Sequence, residues 1–218
     1  MGFQIIQCLA GWVRVVYEDQ GEPFVMHPGD LVLQPPTIRH RVLESSDGLE
    51  VLEVSSPAEH PTRFDHYLAL PTPTIALDRA FGGQRFVRHQ AHQASWVRQP
   101  ESGWEAAPTE VASATAGIST VQRLRSVRQA TPHALALAAG HSALLFAIAG
   151  SAQLSTVGTT SSEPAHSIDI SEGDAVTLDA GVSPVFSAPS ADFDTLIVTV
   201  DVAVTAPETN GPDSADAG

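Results

Sequence analysis

Short apolar runs separated by turn residues alternate along most of the chain. Between residues 3 and 54 the runs are FQIIQCLA, WVRVVY, PFVMH, DLVLQ, HRVLE and LEVLEV. Turn-forming segments such as Pro28-Gly29-Asp30 and Pro35-Pro36 lie between them. Strands of four to eight residues at this spacing, without a helical period, predict an all-β sandwich or barrel.

The same pattern returns after residue 104. The runs are GISTVQRLRS, HALALAA, ALLFAIAG, SAQLSTV, HSIDI, DAVTL, PVFS and DTLIVTV. The apolar stretch from Ala134 to Gly150 is short for a membrane span and is interrupted at Gly140, so it favours two buried strands over a membrane helix.

Two segments lack this pattern. Residues 55 to 104 are rich in proline and histidine, which is typical of a connection, and we predict a short helix near residues 88 to 96. The end of the chain has no aromatic or basic residue and is predicted to be disordered. The predicted division is therefore a first module at 1–58, a connection at 59–104, a second module at 105–202 and a tail at 203–218.

The two β segments can be aligned with each other. Placing Gly11 on Gly150 aligns FQIIQCLAGWVRV with SALLFAIAGSAQL, and HPGDLVLQPPTIRHRV then aligns with SEGDAVTLDAGVSPVF. This similarity predicts a tandem duplication of one β module. The second copy has further β-like sequence from about residue 106 to residue 141, whereas the first has two residues before Phe3. We therefore expect the first module to be incomplete at its N-terminus, with an unpaired sheet edge.

The segment from Gly29 to His40, GDLVLQPPTIRH, resembles the second conserved motif of the cupin superfamily, G-x5-P-x-G-x2-H. Pro35 and His40 match the motif, and Thr37 stands in place of its second glycine. Gln4, followed by six residues and Gly11, resembles the end of the first cupin motif, E-x6-G, with glutamine in place of glutamate. The resemblance implies an all-β fold of two double-stranded β-helix (jelly-roll) barrels in tandem.

The resemblance also implies a metal site. Cupins hold one divalent metal with two histidines and a glutamate of the first motif and the histidine of the second, so Gln4 and His40 are the candidate ligands. Imidazole and carboxamide groups suit Fe, Mn, Ni, Cu or Zn, but two ligands do not define a tight site. We therefore expect weak or absent metal. In the second copy Ala143 and Pro184 align with Gln4 and His40, which predicts a scaffold without a metal site.

Two functions remain open at this point. One is a metal-dependent enzyme resembling the cupin oxygenases, with Ile6, Cys8 and Val42 lining a pocket for a small organic molecule. The other is a non-catalytic small-molecule-binding or structural protein. His89 and His92 would share one face of a helix, but no carboxylate or cysteine is spaced to complete a metal site there.

Charge narrows the range of partners. The 218 residues include 25 acidic side chains and 11 basic ones, all arginine, for a formal net charge of −14. No basic patch is available to neutralise phosphates, so we expect no nucleic-acid partner. A single cysteine and the lack of an apolar leader after Met1 favour the cytoplasm. The open sheet edge, together with the resemblance, predicts a homodimer.

Overall fold

In the computed structural model, residues 2–58, 64–99, 102–127, 130–157 and 166–205 are described, and their regular structure is almost entirely β. The first module is formed by β1 (Phe3–Ala10), β2 (Val13–Tyr17), β3 (Phe24–Met26), β4 (Leu31–Leu33), β5 (His40–Ser45) and β6 (Glu50–Ser56). The connection contains β7 (Ala80–Phe81), β8 (Gln84–Arg85), β9 (Val87–His89), a 3-10 turn (Ala91–Gln93) and β10 (Val97–Gln99).

The second module is longer. Its strands are β11 (Trp104–Pro108), β12 (Ser119–Ser126), β13 (His133–Ala134), β14 (His141–Ala149), β15 (Ser151–Val157), β16 (His166–Ser171), β17 (Ala175–Leu178), β18 (Ser183–Ser187) and β19 (Asp194–Asp201). Two four-residue helices, α1 (Val111–Ala114) and α2 (Val202–Thr205), complete the fold. In the described ranges, no helix has the length and apolar character that a membrane span requires.

Each module consists of two antiparallel sheets that enclose an apolar core. In the first module the strand orders are β6-β1-β4-β9 and β3-β2-β5. In the second they are β10-β11-β12-β19-β14-β17 and β13-β18-β15-β16. The all-β jelly-roll fold expected from the sequence is confirmed.

The strands aligned in the sequence repeat occupy matching positions. In the first module Ile5 lies between Leu33 and Val54, and in the second its counterpart Leu144 lies between Thr177 and Val198. The pairing also shifts at the same point, after Cys8 in β1 and after Ala147 in β14. Since register decides which face each side chain occupies, matching register gives the two copies comparable inner faces.

The turn after β1 in the first module and the turn after β14 in the second are held in the same way. Gly11 and Gly150 have φ values of 68° and 69°, a region that favours glycine. The next backbone N–H donates to Ser46 Oγ in the first copy and to Ser190 Oγ in the second, at 2.9 Å in both. Both turns therefore require a residue without a side chain, because a Cβ at either glycine would collide with the serine oxygen.

Thr37, which departs from the cupin motif, adopts the conformation of the glycine that it replaces. Its φ is 71°, and Gly181, aligned with it in the second copy, has a φ of 90°. A β-branched residue in this region is strained. The backbone conformation at this turn is thus common to both copies, although only the second keeps the glycine.

The two modules pack through the outer faces of two sheets. One apolar cluster contains side chains of both modules. The first module contributes Phe3, Ile5, Leu31 and Leu33, and the second contributes Val121, Leu196 and Val198. Along β1, Phe3 and Ile5 alternate with Gln4, Ile6 and Cys8, which face the inside of the first module. Burial of an aliphatic side chain of this size stabilises the fold by roughly 1.5–3 kcal/mol, so this interface contributes substantially.

The predicted helix near residues 88 to 96 is wrong. The segment contains the end of β9 and the 3-10 turn instead, and β10 begins just after it. β9 pairs with β4 of the first module, and β10 pairs with β11 of the second. Strand pairing overrides the weak helical pattern because β4 offers a free edge to this segment.

Strands β5 and β6 are more open than their counterparts. β18 pairs with β15 and β13, and β19 pairs with β14 and β12. Within the described part of the chain, β5 pairs only with β2 and β6 only with β1. Every residue of β5 is exposed, and Val42 is 59% exposed.

The predicted disordered tail, 203–218, lies largely outside the described residues. Residues 203–205 belong to α2, and the expectation of disorder for the tail stays a prediction. The helical turn begins where β19 ends.

Candidate functional site

The candidate site lies on the inner face of the first module, along β1 and its neighbours. Gln4 is 6% exposed and shares this face with Ile6 and Cys8. Glu53 on β6 lies opposite Ile6, and His40 on β5 lies opposite Tyr17 on β2. Strand register therefore brings polar groups from four strands or their ends toward one region.

A directed row of hydrogen bonds links four of these side chains, which we call the polar row. Tyr17 donates its hydroxyl to Gln34 Oε1 at 2.7 Å. The Gln34 amide donates to Gln4 Oε1 at 2.9 Å, and the Gln4 amide donates to Glu53 Oε1 at 2.6 Å. Both ends of the Gln4 amide are therefore occupied within the protein.

Burial keeps the Tyr17 hydroxyl, at one end of the polar row, protonated. Tyr17 is 2% exposed, and this desolvation raises its pKa above the ordinary value, so the phenol remains a donor at physiological pH. Gln34 is buried as well. Glu53, the member of the row that carries a carboxyl group, lies at its exposed end.

His40 lies beside the polar row without a hydrogen bond to it. Its ring stacks on the Tyr17 ring, with centroids 5.4 Å apart and an interplanar angle of 21°. His40 is exposed as a residue, but the packing of its ring on Tyr17 removes part of its hydration, and this desolvation lowers the pKa of His40. A backbone hydrogen bond at Ile38 and the negative charge of Glu53 act in the opposite direction. The neutral imidazole is therefore the dominant form near neutral pH.

The other residues singled out from the sequence fall into two groups. Cys8 is fully buried in the inner core, Ile6 is half-buried beside it, and Val42 is exposed on β5. A pocket lined by these three residues stays a prediction. Gly11 and Gly29 occupy turns with positive φ, and Pro35 is buried just after β4.

The sequence motifs do not include Tyr17, Gln34 and Glu53. The signal that could find them is the two-residue period: Glu53 lies within the run LEVLEV on the face opposite Leu52 and Val54. Its partner Gln4 becomes identifiable only when β1 and β6 are placed in register.

The second module replaces the polar row with apolar or small side chains. At the matching register positions it has Ala143 for Gln4, Thr156 for Tyr17, Leu178 for Gln34, Pro184 for His40 and Ile197 for Glu53. Ala143, Leu178 and Ile197 are buried in the core of the second module. This inner face is therefore filled by protein side chains.

The donors in the first module do not complete a metal centre of the cupin type. His40 and Glu53 are groups that transition metals accept. The Gln4 oxygen, however, already accepts a hydrogen bond from Gln34. Across the ranges that the structure describes, no three His, Cys, Asp or Glu side chains converge as a metal ion requires.

Comparison with solved structures finds the same architecture in proteins of very different function. The chain matches oxalate decarboxylase of Lactobacillus farciminis in complex with formate (12% identity, TM-score 0.63), covering 91% of this chain and 70% of that one. It matches HEPD of Streptomyces albus with 2-hydroxyethylphosphonate and Fe(II) bound (12% identity, TM-score 0.63), covering 91% and 61%. It also matches procruciferin, an 11S globulin of Brassica napus (11% identity, TM-score 0.62), covering 91% and 70%.

The chain has a cupin fold. At these identities the likeness establishes the fold alone, and this chain spans only 61% of the Streptomyces protein. No protein-family model matches the sequence, and comparison with curated proteins finds no similar sequence.

The charge of Glu53 gives a direct test of the site geometry. We expect His40 to titrate below about 6.5, the ordinary value for histidine. A Glu53→Gln variant should lower the pKa of His40 further, because it removes the negative charge that favours the imidazolium ion. NMR titration of the ring protons measures both values.

The control is Glu50→Gln, which removes a carboxylate from the same strand without touching the polar row. It should leave the pKa of His40 unchanged. A His40 that titrates above 6.5, or whose pKa rises in the Glu53→Gln variant, would contradict this arrangement.

Proposed function

We propose that this cupin chain binds a small organic molecule on the inner face of its first module, and that the second module serves as a scaffold. The observation that carries this proposal is the polar row, in which both ends of the Gln4 amide are engaged. A side chain fixed in this way is suited to orienting a ligand and poorly suited to coordinating a metal.

The exposed end of the row supplies the groups that a ligand would meet. Glu53 offers a carboxylate, and the predominantly neutral His40 offers one N–H donor and one acceptor nitrogen. Val42 and Val51, both exposed, add apolar surface on either side. A small polar molecule with an apolar part fits this combination, and a cytoplasmic location is part of the same proposal.

A second candidate function is a metal-dependent enzyme of the cupin oxygenase type. His40 and Glu53 favour it, because an imidazole and a carboxylate are the ligands that Fe and Mn accept. Completing such a site would require additional donors beyond these two.

Metal content separates the two candidates. Elemental analysis of the purified chain should find well under one equivalent of Fe, Mn, Ni, Cu or Zn. A Gln4→Glu variant should bind more Mn, because it removes the N–H that donates to Glu53 and adds a carboxylate near His40 and Glu53. Stoichiometric metal in the unmodified chain that is lost in a His40→Ala variant, but kept in the His166→Ala control, would favour the enzyme and overturn our proposal.

We also propose that two copies associate through β5. The sequence of this strand, HRVLES, is complementary to itself when two copies run antiparallel, because Arg41 of each then faces Glu44 of the other. The matching strand of the second module supports this proposal, since β18 has an antiparallel neighbour, β13, at the corresponding edge. Exposed Val42 and Leu43 would become buried at the centre of the contact.

Light scattering at micromolar concentration should therefore give the mass of a dimer. An Arg41→Glu variant should be monomeric, because it places two acidic side chains opposite each other, and adding Glu44→Arg in the same chain should restore the dimer. A monomeric unmodified chain, or a charge swap without effect, would show that β5 is not the contact.

A further inference from the structure

A cleft of about 430 Å³ is lined by residues of the first module and of the connection, none of which belongs to the polar row. One wall is formed by β3 and the turn that follows it, with Phe24 and His27. The other wall belongs to the connection, with Arg88 on β9 and His92 in the 3-10 turn. Three side chains that can carry positive charge therefore surround a cleft in a protein whose net charge is −14.

Asp30 joins the two walls. Its side chain is buried, and one carboxylate oxygen accepts the backbone N–H of His27 at 3.0 Å. The other oxygen accepts the backbone N–H of Ala91 at 2.8 Å. Because each oxygen is engaged by one wall, the carboxylate ties the turn that bears His27 to the 3-10 turn that bears His92, and two backbone N–H donors partly offset its negative charge.

Arg88 is positioned on an aromatic surface. The centre of its guanidinium group lies 4.0 Å from the centroid of the Phe24 ring, and its backbone is fixed by the pairing of β9 with β4. Stacking over a ring leaves the N–H groups at the guanidinium edge available to donate. In the part of the chain that the structure describes, no carboxylate forms an ion pair with Arg88.

The second module has the same turn, but the aspartate of that turn has different partners. Asp174, the counterpart of Asp30, accepts hydrogen bonds from the backbone and hydroxyl of Ser171, which stands in the place of His27. Both bonds lie within the turn itself and join no second wall. The hydrogen bond between Asp30 and Ala91 that joins the two walls thus depends on the segment that the connection adds to the first copy.

We propose that this cleft binds a small organic anion. Its anionic group is held by the Arg88 guanidinium and by N–H donors of His27 and His92, since each imidazole keeps at least one N–H in either protonation state. Its apolar part packs against the Phe24 side of the cleft. This site is independent of the ligand site proposed on the inner face.

Benzoate and phenyl phosphate are suitable probes, because each joins an anionic group to one apolar ring. Calorimetric titration should show saturable binding of at least one of them to a single site. Benzamide, which has the shape of benzoate without its charge, should bind at least tenfold more weakly. The ring protons of His27 and His92 should shift in NMR spectra as the site fills.

An Arg88→Gln variant should weaken binding at least tenfold through the loss of a charge-assisted hydrogen bond. The matched control is Arg14→Gln, since Arg14 is an exposed arginine of β2 that does not line the cleft. It should bind the probe as the unmodified chain does, and circular dichroism should confirm that both variants are folded.

Three outcomes would overturn the proposal. They are the lack of saturable binding of either probe, equal binding of benzoate and benzamide, and equal loss of binding in the two arginine variants. Probe binding that shifts His40 but neither His27 nor His92 would also overturn it, because the anion would then occupy the inner face of the module.

Discussion

The apolar contact between the outer sheet faces of the two modules is the interaction on which the rest of the structure depends. Phe3, Ile5 and Leu33 on one side meet Leu196 and Val198 on the other. The inner face of the first module carries the hydrogen-bonded side chains of the polar row in place of apolar ones. Strand β5 is exposed, and β6 is partly exposed. A module with so open an inner face gains much of its stability from the neighbour against which it packs.

Duplication explains how one architecture supports two different interiors. Matching strand pairs place Gln4 and Ala143, and likewise Glu53 and Ile197, at equivalent points. Filling this face with apolar side chains, as in the second module, favours stability. Keeping hydrogen-bonded polar groups there preserves a surface that can recognise a ligand, at some cost in packing. Under the proposed function, the second copy supplies support and the first copy supplies recognition.

The strands could be predicted closely, because alternation and turn residues are local signals. β1 coincides with the run FQIIQCLA, and the glycine turns fall where the repeat aligns them. The connection could not be predicted, because β9 forms by pairing with β4, a long-range contact that leaves no periodic pattern in three residues. His40 and Gln4 could be identified as site residues from the sequence motifs. Identifying Tyr17 and Glu53 requires the cross-strand register, which a single sequence does not fix.

Native-state hydrogen exchange tests most directly whether the second module supports the first. If the contact between the sheets carries the first module, the amide hydrogens of β1 and β4 should exchange with the same opening free energy as those of β14 and β19, because these strands unfold together. Exchange of β1 and β4 at a clearly lower free energy, while β14 and β19 stay protected, would contradict this account and show that the modules fold independently.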